Sequence, residues 1–436
     1  MKKIIALLLA ASIPLSLAAC GEKTPELYYL NFKPEIAEVY AEIATAYEKE
    51  KGVKLNVVTA ASGTYEQTLK SEMAKKDAPT LFQINGPKGY AAWKDYTMDL
   101  KDTELYKHLT DKTLAVTDGE GVYGIPYVVE GYGLIYNNAI MEKYFATTGA
   151  KAKSMDEINN FAKLKAVVED MTAKKADLGI EGAFASTSLK PGEDWRWQTH
   201  LANIPVYYEF KNNKVDLASD ATKEIKFENS KEYKNIFDLY INNSVTEPAL
   251  LGSKQVDDSM AEFALGKVAF VQNGNWAWSQ INGVAGNVVT EEDIKFMPIY
   301  TGVAGEETQG LCTGTENFFS INKKASAADQ KLAADFIYWL YSSETGKKFV
   351  IEKLNFIAPF DTFTEAERPS DPLAKEVINW MSKDGVTSVP WNFTVFPSQT
   401  FKDNFGSSLL QYAQGTMKWE DLTAKVVTDW KAESGK

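Results

Sequence analysis

The chain has 436 residues, of which 44% are apolar and 24% charged; at roughly 150 residues per domain this is room for two to three domains, with a composition close to that of water-soluble proteins and unlike a disordered or polytopic membrane chain. A net charge of −12 argues against a nucleic-acid partner, whose phosphates demand a basic face. The only histidines are His108 and His200 and the only cysteines Cys20 and Cys312, too few for a zinc cluster or a disulfide framework, so any metal site would have to be carboxylate-rich; no metal and no cofactor is expected.

Residues 1–19 read as a secretory leader, with a basic start at Lys2 and Lys3, an apolar stretch from Ile4 to Leu17 too short to span a bilayer comfortably, and a small-residue ending. Leu27 to Phe32 has strand character, and Lys33-Pro34-Glu35 supplies a helix start. Ile36, Val39, Tyr40, Ile43 and Tyr47 then recur at helical spacing up to Gly52, and Lys54 to Thr59 is a second strand. A helix from Tyr65 to Lys75 leads into a third strand, Leu81 to Ile84, that stops at Asn85-Gly86-Pro87. Strands alternating with helices predict a parallel, helix-covered sheet. Gly119-Glu120-Gly121-Val122-Tyr123-Gly124 has the dinucleotide spacing, but the extended Ile125-Pro126-Tyr127 follows where a helix N-terminus is required, so it reads as a turn.

Ser154 and Glu157 have capping-box spacing, and Ile158, Phe161, Leu164, Val168 and Met171 continue as the stripe of a long helix. Ser259 and Glu262 repeat the capping pattern before Phe263 and Leu265, Gly266 ends that helix, and Val268 to Val271 is a buried strand. Leu332 to Tyr341 and Val377 to Met381 mark two late helices. Ser320-Ile321-Asn322-Lys323 matches Ser-x-x-Lys without its companion motifs and reads as chance. Serine-hydrolase, zinc-protease and phosphate-loop signatures are absent.

Aromatic residues make up 12% of the chain and gather in Trp195-Arg196-Trp197, Asn275-Trp276-Ala277-Trp278 and Trp391-Asn392-Phe393. A pyranose ring offers a C–H face to an aromatic π face, while its hydroxyls need amide, carboxylate or guanidinium partners. A single Trp is more often core than ligand contact; three clusters beside polar residues point to a sugar site.

Leu17-Ala18-Ala19-Cys20-Gly21 resembles the bacterial lipobox, which implies cleavage before Cys20, lipid on its sulfur and a tether over 20–26 that keeps the body at a membrane surface. Behind it, three segments are similar to extracellular solute-binding proteins of carbohydrate ABC importers, in the maltose-binding-protein-like group. The first is Gly124-Ile125-Pro126-Tyr127 with Glu130 and Leu134-Ile135-Tyr136-Asn137, the second Phe263 to Trp278, and the third Phe318 to Asn322 with the following helix and Ser343-Glu344-Thr345-Gly346. The resemblance implies a two-lobed α/β periplasmic-binding-protein-like fold, each lobe a helix-covered, mostly parallel sheet joined by a hinge. Lobe 1 would comprise 27–136 and 299–352, and lobe 2 138–297 and 356–436. It also implies a monomeric, lipid-anchored extracytoplasmic receptor, without enzymatic activity, that takes an oligosaccharide from the inter-lobe cleft to a transmembrane permease.

By motif, Trp276 matches the family's sugar-stacking Trp and Glu130 a cleft acid. Trp195, Trp197, Trp391 and Phe393 fall in segments lining the second lobe's face, and Glu316 and Asn317 in a first-lobe cleft loop, with Ser62-Gly63-Thr64 a further loop after the second strand. Ligands of open sheets sit beyond the strand C-terminal ends, which adds Asn31, Lys33 and Asn85. Cys312 reads as a small buried hydrophobe. A surface-anchored carbohydrate-active enzyme, and the same fold binding a non-sugar solute, stay open at this point.

Overall fold

The computed structural model describes residues 25–435 except 62, 218 and 365; the leader, Cys20 and Ser62 lie outside them. In chain order its strands are β1 Glu26–Asn31, β2 Lys54–Thr59, β3 Leu81–Asn85, β4 Val116–Asp118, β5 Gly121–Pro126, β6 Glu130–Asn137, β7 Gly182–Phe184, β8 Val268–Gly274, β9 Ile294–Met297, β10 Gln309–Gly314, β11 Asn317–Ile321 and β12 Thr387–Pro390. They form two six-stranded sheets, β2-β1-β3-β11-β5-β4 and β12-β10-β6-β8-β7 with β9 on β6. The two-lobed α/β expectation holds, but the expectation of mostly parallel sheets is corrected: antiparallel pairings outnumber parallel ones among the described strands. β1, β2 and β3 run parallel, whereas β11 is antiparallel to both β3 and β5, and β6 to both β8 and β10. Strands that carry the chain from one lobe to the other thus enter against the local direction.

The first lobe forms as its pattern predicts. Helix 37–51 ends at Gly52 in the left-handed region (φ 66°), and its stripe of Tyr40, Ile43 and Tyr47 is buried. Tyr29 of β1 meets Tyr40 edge-on at 5.2 Å. Each such side chain contributes about 1.5–3 kcal/mol by leaving water. Gly119 (φ 59°) turns β4 into β5, so the dinucleotide-like motif is a hairpin.

Two expected caps are corrected. Ser154 makes no side-chain cap; a short turn over 155–157 intervenes, and the long helix, 161–173, is capped by Asn160, whose side chain accepts from the Lys163 N–H. Helix 256–264 is capped reciprocally by Gln255 and Asp258. Ser259 and Glu262 sit inside it and hold another loop: Ser259 donates to the Ser186 carbonyl, and Glu262 accepts from the Ser186 N–H (2.7 Å) and hydroxyl (2.9 Å).

The lobe boundaries are corrected as well. β6 (from Glu130) and β10 (to Gly314) both belong to the second sheet, so the chain crosses at 127–129 and 315–316, not near Tyr136 or Met297. The third crossing follows Phe360, which still packs in the first lobe's core with Phe356, and precedes Leu373, which packs in the second. Val129, in the first crossing, bridges to Ile357, shortly before the third. Hydrogen-bonded register defines these limits, and an apolar run does not show which of two sheets it joins.

Candidate functional site

The two sheets point matching ends at each other. In the first lobe, β1 and β3 end at Asn31 and Asn85, and antiparallel β11 begins at Asn317, opposite Asn85. In the second, β8 ends at Gly274, just before Asn275 and Trp276. There β6 begins at Glu130, β10 ends at Gly314 opposite Glu130, and β12 leads into Trp391. These strand-end side chains and their neighbours therefore need only their local turns to reach one cleft.

The lobes are closed on each other. Lys33 of the first lobe donates to Glu130 of the second sheet at 2.8 Å, with Glu35 at 3.5 Å, and its ammonium lies 5.5 Å from the centre of the Trp276 ring. Burial opposes that charge, but Glu130 and Glu35 outweigh it and hold the ammonium above its ordinary pKa. Two glycines lie at lobe contacts: a Cβ at Gly63 would stand 2.7 Å from the Gly192 carbonyl, and one at Gly86, whose φ is 58°, would stand a tight 3.3 Å from the Thr394 side chain. Asn85 donates to Glu316 at 3.0 Å, tying the β3 tip to the second crossing.

The second lobe supplies an aromatic floor. Trp195 lies 6.0 Å from Trp276 and 4.7 Å from His200, and His200 stacks on Phe393 at 4.7 Å and stands 5.9 Å from Trp391. Two glycines make room for the indoles: a Cβ at Gly274 would fall 2.1 Å from the Trp276 ring and one at Gly314 2.6 Å from Trp391. The segment carrying Trp195 and His200 is wound as a π-helix over 196–201, running into a helix with Pro205 inside it, the kind of irregularity found where a helix is bent to function. Two tyrosine hydroxyls brace it, Tyr132 donating to the His200 carbonyl (2.8 Å) and Tyr233 to that of Trp197 (2.9 Å). Asn203 clamps the Trp391 turn, donating to the Pro390 carbonyl and accepting from the Phe393 N–H, both at 3.0 Å.

Buried polar atoms at these ends lack protein partners: Thr315 Oγ1, Asn317 Oδ1, His200 Nε2, Trp391 Nε1 and Asn392 Oδ1. Leaving such atoms unpaired costs about 1–3 kcal/mol each, so their concentration marks a surface built to meet polar groups from elsewhere. Burial and the Arg196 charge push His200 well below its usual pKa, leaving a neutral ring.

Trp276, Glu130, Lys33, Asn85, Trp195, Trp391, Glu316 and Asn317 are thus brought to one region between the lobes. Asn31 is corrected: fully buried, its amide donates to the Lys33 carbonyl (2.8 Å) and Thr59 (3.2 Å) while its oxygen accepts from the Lys33 N–H, so it shapes the Lys33 loop and has no group left for a ligand. Trp197 is corrected too: fully buried against Phe237 and Tyr240, it donates to the Thr187 carbonyl. Phe393 backs His200 from beneath, 2% exposed. Cys312 is a free, buried thiol that burial pushes up to about 12. Missed were His200 and Arg196. Arg196 is 4% exposed, its guanidinium 3.9 Å from the centre of the Trp195 ring. One signal was available, since the chain holds only two arginines, Arg196 and Arg368.

The sequence profile of the bacterial extracellular solute-binding protein family matches residues 42–377. The melibiose/raffinose/stachyose-binding protein MelE of Bacillus subtilis (strain 168) is 27% identical over 143 residues, 32% of this chain and 33% of that protein, so the match spans about a third of that relative. A solved chitin oligosaccharide binding protein superposes with a TM-score of 0.69 at 17% identity, covering 94% of this chain and 99% of that one. A sugar transporter from Bacillus licheniformis in complex with stachyose gives 0.66 at 18% identity, covering 93% and 99%. At those identities the likeness is one of fold. With the profile spanning most of its length and two lobes closed over a polar, aromatic cleft, this chain belongs to the bacterial extracellular solute-binding protein family, whose members bind and do not transform their ligands.

Proposed function

We propose that the cleft captures an oligosaccharide, that the chain acts as a monomer held at the membrane by lipid on Cys20, and that its closed form delivers the sugar to the transmembrane subunits of an ABC importer. One observation carries the sugar reading. The second lobe's strand ends carry a floor of Trp195, Trp276 and Trp391 beside His200, and the first lobe's strand ends and the second crossing bring the amide and carboxylate groups of Asn85, Glu316 and Asn317 to the same cleft. Aromatic faces suit the C–H face of a pyranose, and the polar wall suits its hydroxyls. The relatives named above carry melibiose, raffinose, stachyose or chitin oligosaccharide in their names, which supports the same class of ligand here.

Capture needs no bond-breaking chemistry. A ligand closes the lobes only through its extra affinity for the closed form, and here it would gain that affinity from both walls at once. Calorimetric titration of residues 21–436 with di- to tetrasaccharides, followed by chromatography of each sugar, tests the reading: tight binding of one linkage family with the sugar recovered intact is expected. Absence of binding across the panel rejects it. For the anchor, labelling with a fatty-acid analogue should mark the full chain and not Cys20→Ala.

A further inference from the structure

We infer that the ligand carries a carboxylate, placed by the Arg196 guanidinium above the Trp195–Trp276 floor, so that the cargo is an acidic oligosaccharide such as a uronic-acid-containing one; this rests on the sugar reading above. The argument begins with charge balance. Lys33 is neutralised by Glu130 at 2.8 Å and Glu35 at 3.5 Å. Arg196 is as deeply buried, 4% exposed, yet among the described residues no carboxylate lies within 4.0 Å of it. Its one hydrogen bond is Nε to the Asn273 amide oxygen at 3.4 Å. Glu193, Glu35 and Asp257 act on it only from beyond that range.

A buried cation without a partner is costly, and a fold keeps one where a partner arrives from outside. The geometry names that partner. The guanidinium carbon lies 3.9 Å from the centre of the Trp195 ring and only Nε is engaged by a protein acceptor, so the terminal N–H groups, the fork that takes a carboxylate bidentately, remain to be met. Residue choice agrees: of 47 basic residues only two are arginine, and one of them stands at this point, where a lysine would provide a point charge without the fork. A second cation faces the same region, since Lys402 on helix 399–413 acts with Arg196 on His200 and has no carboxylate within 4.0 Å among the described residues. Its longer-range acids are Glu316, Glu66 and Asp403. The cleft is therefore polarised, with the Glu316 carboxylate and the unpaired Asn317 amide oxygen on the first-lobe side and the cations Arg196 and Lys402 on the second.

The test titrates residues 21–436 with oligogalacturonates and glucuronic-acid-substituted xylo-oligosaccharides, each beside its carboxyl-reduced form. An acid form binding at least tenfold tighter than its reduced partner is expected, with the ratio falling to near one in Arg196→Gln and partly recovering in Arg196→Lys; circular dichroism spectra and melting temperatures establish that the variants fold. Neutral sugars binding as well as or better than acidic ones overturn the carboxylate while leaving the sugar reading intact. An acid preference that survives in folded Arg196→Gln overturns the assignment to Arg196. No binding by either form of any sugar removes both the carboxylate and the sugar reading.

Discussion

Trp276 illustrates how a single side chain depends on the backbone beneath it. Its ring lies so close to Gly274 that any Cβ there would fall 2.1 Å away, and it sits between Trp195 at 6.0 Å and the Lys33 ammonium at 5.5 Å. Trp276→Ala should weaken sugar binding at least about tenfold, roughly 1.4 kcal/mol, and Gly274→Ala should do the same by lifting the intact ring; calorimetry on both variants checks this, and normal affinity in Gly274→Ala would show that the ring's seat is immaterial. A second residue-scale consequence concerns pH. Burial pushes Asp194 up to about 7, its carboxylate packed against Gly406, and burial does the same to Asp371. With an unfolded value near 3.9, the folded state binds these protons more tightly. Their stabilising contribution is full below about pH 4 and is lost as pH rises through 7. Asp194→Asn should therefore raise the melting temperature at pH 8 relative to wild type by more than at pH 5, and an equal shift at both pH values rejects the assignment. The same scale marks where composition stops being informative. Trp195 and Trp197 share one motif, but two residues apart on a helical segment they point to different sides, so one reaches the cleft and the other is fully buried. Nothing in the local residue types separates them.

Elements were legible where one local rule decided them. The strand from Lys54 to Thr59 and the helix ending at Gly52 follow from periodicity and a left-handed stop. Caps failed where two candidate side chains competed. Ser154 has the right spacing, but Asn160, six residues on, takes the cap. Ser259 and Glu262 also have capping spacing, yet the reciprocal Gln255–Asp258 pair begins that helix earlier. Their polar groups serve tertiary structure instead, since Glu262 satisfies both the N–H and the hydroxyl of buried Ser186. Glu262→Ala leaves those donors unpaired and should destabilise the chain by about 1–3 kcal/mol, read by urea denaturation. Binding of whichever sugar the wild type takes should persist in the folded fraction; an unchanged denaturation midpoint would assign the loop's position to other contacts.

At the scale of the whole molecule, the order of strands in two sheets sets the mechanics. The chain crosses between lobes at 127–129, at 315–316 and after Phe360, and the bridge from Val129 to Ile357 ties the first crossing to the segment that leads into the third. The resemblance placed these crossings several residues away because register is a property of partners distant in sequence. Glu130 follows the first crossing directly, and its ion pair with Lys33 spans the lobes with both side chains 8% exposed or less. Breaking a buried pair by removing one partner is destabilising by about 3–5 kcal/mol, because the other charge is left uncompensated. Opening the cleft relieves that penalty by returning Lys33 to water, so Glu130→Gln should favour the open form. Small-angle scattering on the ligand-free chain should then show a larger radius of gyration for Glu130→Gln than for wild type. Removing the stranded charge as well, in Lys33→Met combined with Glu130→Gln, should bring it part of the way back. Equal radii in all three proteins would mean that the pair bridges the lobes without governing their closure, and the energy of closing would then reside in the aromatic floor and the glycine contacts at Gly63 and Gly86.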